Sequence, residues 1–166
     1  YFVVAFITGF LMNRIRISEN LIRSREERTN LINQVLQDIA SSQNKSEFIV
    51  KVCEKISNYL SGSANVVLKS KEGLLQFDKL EGLYTLDEKE KAVAQWAFQN
   101  QKNAGWSTVT LGQARALYIP LRGVNEVVGV LVFKPDRKLK KLLLDQQELL
   151  FSIATQLGIS IERHFL

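Results

Sequence analysis

The sequence is poor in the residues that build most catalytic centres. One cysteine, Cys53, in 166 residues excludes a disulfide scaffold and any multi-cysteine zinc site. One histidine, His164, excludes two-histidine metal sites and leaves a single candidate for histidine general-base chemistry. The nine glycines form no run, which counts against a phosphate-cradling loop. Cys53 sits between apolar positions of a helical pattern and reads as a buried, inert thiol. His164 is followed by Phe165-Leu166, not by the acidic residue and the Arg-Thr/Asn-Pro run that surround a phospho-accepting histidine. It reads as a helix-surface residue. The carboxylate-rich stretches Asp87-Glu88-Glu90 and Asp145-Glu148 read as helix starts, where the dipole favours negative charge. No catalytic residue, metal site or cofactor is assigned to the chain.

What is present is an ordinary globular composition, 46% hydrophobic and 23% charged, enough for one domain with an appendage. Residues 1–12 carry no charge. The run is shorter than the roughly 20 apolar residues a bilayer span needs, and Arg14 and Arg16 follow it at once. Arginines beyond an apolar segment mark its cytoplasmic end. Residues 1–12 are therefore expected to be the end of a transmembrane helix; the alternative is a buried amphipathic helix.

The net charge of +5 is concentrated in two places. Residues 14–28 hold Arg14, Arg16, Arg23, Arg25 and Arg28 against three glutamates. Residues 134–141 hold Lys134, Arg137, Lys138, Lys140 and Lys141 against Asp136. The rest is close to neutral, and neither cluster has aromatics within it, so a nucleic-acid surface is not expected. The first cluster, with its five arginines, suits anionic lipid headgroups. The second reads as a solvated loop.

Residues 13–43 read as one long helix. Ile15, Ile22, Thr29 and Leu36 recur every seven residues, with Ser18, Arg25, Ile32 and Ile39 three residues after each, an a/d seam that is polar in its first half. A helix so thinly apolar needs a partner, most simply its own copy in a homodimer; the alternative is a helix exposed on the domain. Asn44 with Glu47 signals a helix start, and Phe48, Ile49, Val52, Ile56, Tyr59 and Leu60 line one face. Residues 64–69 and 73–77 read as a hairpin around Lys71-Glu72-Gly73, and 78–84 as loop. Thr85 with Glu88 opens a helix to about Gln101, with Val93, Trp96 and Ala97 inward. A loop runs to about Ala114. Strands are expected at 116–121 and 126–133 around a turn at 122–125, the second apolar on both faces and hence central. Asp145 with Glu148 opens a last helix with Leu149, Leu150, Ile153, Leu157 and Ile161 on its apolar stripe. The pattern predicts an α+β domain with an antiparallel sheet covered by helices.

A resemblance becomes specific between residues 92 and 163. Trp96 on a helix, a loop with Ala104, Gly105, Thr108, Thr110 and Leu111, a strand with Tyr118, Pro120 and Leu121, and Gly129-Val130-Leu131 resemble the GAF domain of Kdp-type potassium sensor histidine kinases. The Arg-rich stretch at 23–29 resembles that family's exit from its last membrane helix. The resemblance implies a GAF domain over 44–166 behind a juxtamembrane signalling helix, and a C-terminal helix leading towards a kinase region. It also implies a parent in the bacterial inner membrane that autophosphorylates with ATP, passes phosphate to a response regulator and controls potassium uptake. It implies that this part lies on the cytoplasmic side and is non-catalytic. The alternatives are a ligand-binding GAF or PAS-like module of another membrane receptor and, last, a small hydrolase or transferase, for which no nucleophile–base pair is visible. Where the family tends to place aspartate between the two loop threonines, this chain has Val109.

The resemblance further implies a small-molecule site between the sheet and the segment 80–114. Its candidate residues here are Trp96, Trp106, Thr108, Thr110, Arg115 and Tyr118: indoles for stacking, hydroxyls for placement and a guanidinium for an anionic end. The other reading of these residues is core for Trp96 and turn-capping for the hydroxyls.

Overall fold

The computed structural model describes residues 26, 29–35, 37, 44–78, 81–82, 84–136 and 141–165, with backbone only at 81, 82, 164 and 165. The apolar run at 1–12, the seam positions Ile15, Ile22, Leu36 and Ile39, and Arg14, Arg16, Arg23, Arg25 and Arg28 lie outside these residues, as does most of the second basic cluster. The chain divides into two units, residues 1–34 and 35–166. In the first, the residues from Thr29 onward are helical, Thr29 exposed and Ile32 half-buried. Among the described residues no helix is long and apolar enough to cross a membrane.

Among the described residues from Asn44 onward there are three helices, α1 Lys45–Leu60, α2 Glu88–Asn100 and α3 Leu144–Phe165, and five strands, β1 Gly62–Leu68, β2 Glu81–Gly82, β3 Ala104–Gly105, β4 Leu117–Arg122 and β5 Val127–Pro135. The strands make one antiparallel sheet in the order β2-β1-β5-β4-β3. The fully apolar β5 is its centre, as its sequence requires. Strand alternation assigns the faces. Val67, Val130, Val132 and Tyr118 form one buried cluster with Ala94 and Ala97 of α2. Val66, Leu131, Phe133, Ile119 and Leu121 alternate with them, are equally buried and so face the other way. There α1 packs on β1, α3 packs on β4 and β5, and the two helices touch. Among the described residues the result is a sheet with α2 on one face and α1 and α3 on the other.

Each helix has an identifiable start. Asn44 caps α1 by accepting from the Ser46 N–H at 3.0 Å. Its buried face is Phe48, Ile49, Val52, Cys53, Ile56 and Leu60, the stripe its periodicity predicts apart from half-buried Tyr59. Two helix starts differ from expectation. The N-cap of α2 is Asp87, in a reciprocal capping box with Glu90, not Thr85 with Glu88. Helix α3 begins at Leu144, so Asp145 lies inside its first turn, and the Leu143 N–H is taken up by Gln146 Oε1 at 3.0 Å.

The strands also correct the sequence reading. Residues 73–77 do not form a strand. The turn at 70–74 closes through Ser70 N–H to Leu74 O at 2.7 Å, but only the bridge Lys69↔Leu75 follows. The loops expected at 78–84 and up to 114 instead contain β2 and β3, two residues each. Pro120 sits within β4, and β3 reaches only Leu117 and Tyr118. Ala116 O, on the same side of the strand as Pro120, accepts from Trp106. Pro120 therefore turns its missing N–H towards the open edge, where no ladder bond is lost.

Asn65, fully buried on β1, fixes the approach to α2. Its Nδ2 donates to the Tyr84 carbonyl, and its Oδ1 accepts from the Tyr84 N–H at 3.2 Å. Asn65→Ala strands both backbone groups, and each orphaned buried group costs about 1–3 kcal/mol. The expected loss is about 2–4 kcal/mol, read as a fall in the urea midpoint at unchanged slope. A change below about 0.5 kcal/mol would show that the clamp is replaced by solvent.

Candidate functional site

The start of α2 and the segment before β4 leave an open cleft of about 740 Å³ between them, lined by residues of 87–93 on one wall and by Leu111, Gln113, Ala114 and Arg115 on the other. Both walls are set locally. On the helix side, the Asp87 carboxylate accepts from the Glu90 N–H at 2.8 Å, and Glu90 Oε2 accepts from the Asp87 N–H at 3.1 Å. That box fixes the Glu90 rotamer and turns the side chain inward, where it is 7% exposed. Its second oxygen, Oε1, has no hydrogen-bond partner among the described residues.

On the other side, the segment after β3 is wound around Thr108. The Thr108 hydroxyl lies 2.7 Å from the carbonyls of both Gly105 and Thr110 and accepts from the Thr110 N–H at 3.3 Å. The Gly105 N–H donates to Thr110 O at 2.8 Å and the Trp106 N–H to Ala116 O at 2.8 Å. The loop is held by its own backbone, and Leu111 and Ala114 are carried to the cleft by that winding.

Two phenols, Tyr118 and Tyr84, lie in or against the core cluster that α2 packs on. Tyr118 is fully buried, and neither its hydroxyl nor that of Tyr84 has a hydrogen-bond partner among the described residues. Burial pushes both phenols well above their ordinary pKa, and the Glu90 carboxylate pushes both further. Lys134 stands 5.0 Å from the centroid of the Tyr84 ring. Tyr84 and Tyr118 are thus neutral hydroxyls at every physiological pH.

The structure brings only part of the expected set to this place. Arg115 lines the cleft and is exposed. Tyr118 lies in the core cluster. Trp96 is half-buried against the same cluster and does not line the cleft. Trp106 and Thr110 are half-buried and also off the lining. Thr108 is off the lining too, its hydroxyl engaged by the loop. Val109, at the position where the family tends to carry aspartate, is fully exposed. Sequence reasoning missed Glu90, Val93 and Ala114. A signal existed for Glu90: it heads the buried stripe Glu90, Ala94, Ala97 at helical spacing, and a carboxylate on a buried stripe calls for an explanation. Among the described residues no group of three or more His, Cys, Asp or Glu is placed to hold a metal.

A family model for the GAF domain matches residues 50–163. The chain is 29% identical to the sensor protein KdpD of Clostridium acetobutylicum over 181 residues, covering 99% of this chain and 19% of that protein. It is 24% identical to the sensor protein KdpD of Escherichia coli K12, covering 96% of this chain and 18% of that protein. It thus spans about a fifth of the length of these curated relatives. The crystal structure of the GAF domain of the E. coli potassium sensor histidine kinase KdpD superposes with a TM-score of 0.67 at 23% identity, over 81% of this chain and 92% of that one. The GAF domain of an Acinetobacter phosphoenolpyruvate-protein phosphotransferase does so with 0.62 at 14% identity, over 82% and 93%. At these identities the superpositions establish the fold, and the matched family model does the rest: the chain belongs to the GAF domain family.

Proposed function

We propose that the chain is the signal-receiving GAF module of a membrane-bound two-component sensor histidine kinase controlling potassium uptake. It carries no catalytic step of its own. The observation that supports this best is the match of nearly the whole chain to two sensor proteins of one kind. In this reading ATP and the response regulator belong to the rest of the parent. Residues 1–12 end its last membrane helix, and the five arginines at 14–28 meet anionic headgroups on the cytoplasmic face of the bacterial inner membrane. The helix at 13–43 pairs with its copy in a homodimer. The cleft beside α2 is where a small molecule would bias the module. The same fold in a phosphotransferase keeps a second reading open, a ligand-binding module of another receptor, because a fold does not fix its parent.

The parent protein in membrane vesicles tests this. With ATP it is expected to form an acid-labile phosphohistidine at a level that depends on potassium. Ala114→Trp, which fills the cleft, should shift that level or its potassium dependence by several-fold. A parent that forms no phosphohistidine, or an Ala114→Trp parent whose level and response both stay within twofold, would count against the reading.

A further inference from the structure

We propose that the cleft beside α2 takes a small organic ammonium ion, its N–H donors received by Glu90 Oε1 and its apolar body lying on Val93, Leu111 and Ala114. The assignment rests on the cleft being the module's ligand site and goes beyond it in naming the chemistry. Glu90 is more than nine-tenths buried and lines the cleft, yet Oε1 has no partner among the described residues. A buried carboxylate oxygen normally has a donor, because leaving it bare forfeits its hydration with nothing in return. No basic side chain of the described residues supplies one. Of the two lysines that flank it in sequence, Lys91 is committed to Glu88 at 2.7 Å and Lys89 is exposed on the rim. The donor is therefore expected from outside, and a charge-assisted hydrogen bond to a carboxyl oxygen is stronger than a neutral one.

Two further features favour an ammonium group. The hydroxyls of Tyr84 and Tyr118 are also buried and unpartnered, and both lie within electrostatic reach of Glu90. Neither phenol lines the cleft, so both would be met only by a head group that enters past the lining to Glu90. Carboxylate and phenols then offer three oxygens to the three N–H donors of a primary ammonium. The rim does not oppose this. The charged residues lining the cleft are Lys89 and Arg115 against Asp87, Glu88 and Glu90.

The full chain, isotopically labelled, can be titrated with n-butylammonium, n-butanol and butyrate while amide resonances are followed. Butylammonium is expected to shift the Glu90, Val93 and Ala114 amides to saturation, with the other two weaker by tenfold or more. Glu90→Gln keeps the shape and the capping bond but not the charge, and should weaken butylammonium at least tenfold. Tyr118→Phe, which removes an unpartnered hydroxyl, should weaken it several-fold while holding or raising the thermal midpoint. Because that variant is expected to fold in any case, it decides the matter should Glu90→Gln lose its dispersed spectrum. Butanol or butyrate matching butylammonium at the same amides, or both variants binding within twofold of the parent, overturns the ammonium assignment and leaves the cleft as a ligand site. No shift with any of the three overturns both.

Discussion

Gly105→Ala is expected to destabilise the domain by about 2–6 kcal/mol and to abolish any binding in the cleft. Two costs combine. Gly105 has φ +90°, and a side chain held at positive φ costs about 1–3 kcal/mol. A Cβ there would also overlap the Ala116 carbonyl oxygen and stand 2.7 Å from Tyr118 Cδ2. Tyr118 is fully buried and the other contact is backbone, so neither yields cheaply; overpacking of this kind costs about 1–3 kcal/mol. Relief comes only by moving the segment 105–110, whose windings end on Gly105 N–H and Gly105 O. That segment carries Leu111 and Ala114 to the cleft, so stability and binding fall together. Gly73 separates the two costs, since it has φ +85° with nothing within 4 Å of a Cβ. Gly73→Ala should show only the conformational part. Denaturant unfolding of the two variants gives the comparison, and equal losses would mean that crowding against β4 contributes nothing.

Much of this arrangement is written in local chemistry, and what is not has physical reasons. The buried faces of α1 and α3 follow from apolar spacing, because a helix on a sheet must bury one stripe. The central place of β5 follows from its being apolar on both sides. Strands β2 and β3 were not readable. Two residues give no periodicity, and each pairs only because a neighbouring strand is placed by the rest of the fold. The start of α2 was ambiguous for a different reason. Thr85-x-x-Glu88 and Asp87-x-x-Glu90 are overlapping capping signatures, and the choice between them fell to tertiary contacts: Leu86 and Glu90 are buried and Glu88 is not. The same ambiguity hid Glu90 as a site residue. One of its oxygens closes the capping box and the other is bare, so a capping role conceals the second role completely. The tryptophans illustrate the converse. Their chemistry suits a binding site, but Trp96 packs on the core cluster, and residue type cannot say which side of a helix meets a cleft and which meets a sheet.

Gly158→Ala is expected to cost about 2–4 kcal/mol and to loosen the attachment of α3 to the sheet. Gly158 is buried in the middle of α3. A Cβ there would overlap the Arg122 carbonyl oxygen and lie 2.6 Å from its carbonyl carbon and 2.8 Å from its nitrogen. The obstacle is wholly backbone, at the point where the β4–β5 register shifts between Leu121 and Arg122. The helix must therefore move away, although alanine is the better helix former by about 1 kcal/mol. One turn further on, Glu162 holds the β4–β5 turn. It accepts from the Val124 N–H, from the Asn125 N–H at 3.0 Å and from Asn125 Nδ2 at 3.1 Å. Desolvation pushes the Glu162 carboxyl up, but the hydrogen bonds from Val124 and Asn125 outweigh it and hold its pKa below the ordinary value. A carboxyl so depressed when folded supports the fold at neutral pH, and the support is lost as pH falls through its folded value. Amide exchange at Val124 and Asn125 reads all three effects. Protection there should fall in Gly158→Ala, fall in Glu162→Gln, and fall in the parent chain on acidification before global unfolding, while protection at the centre of β5 persists. Unchanged protection of the two turn amides in Gly158→Ala would mean that α3 absorbs the methyl without leaving the sheet.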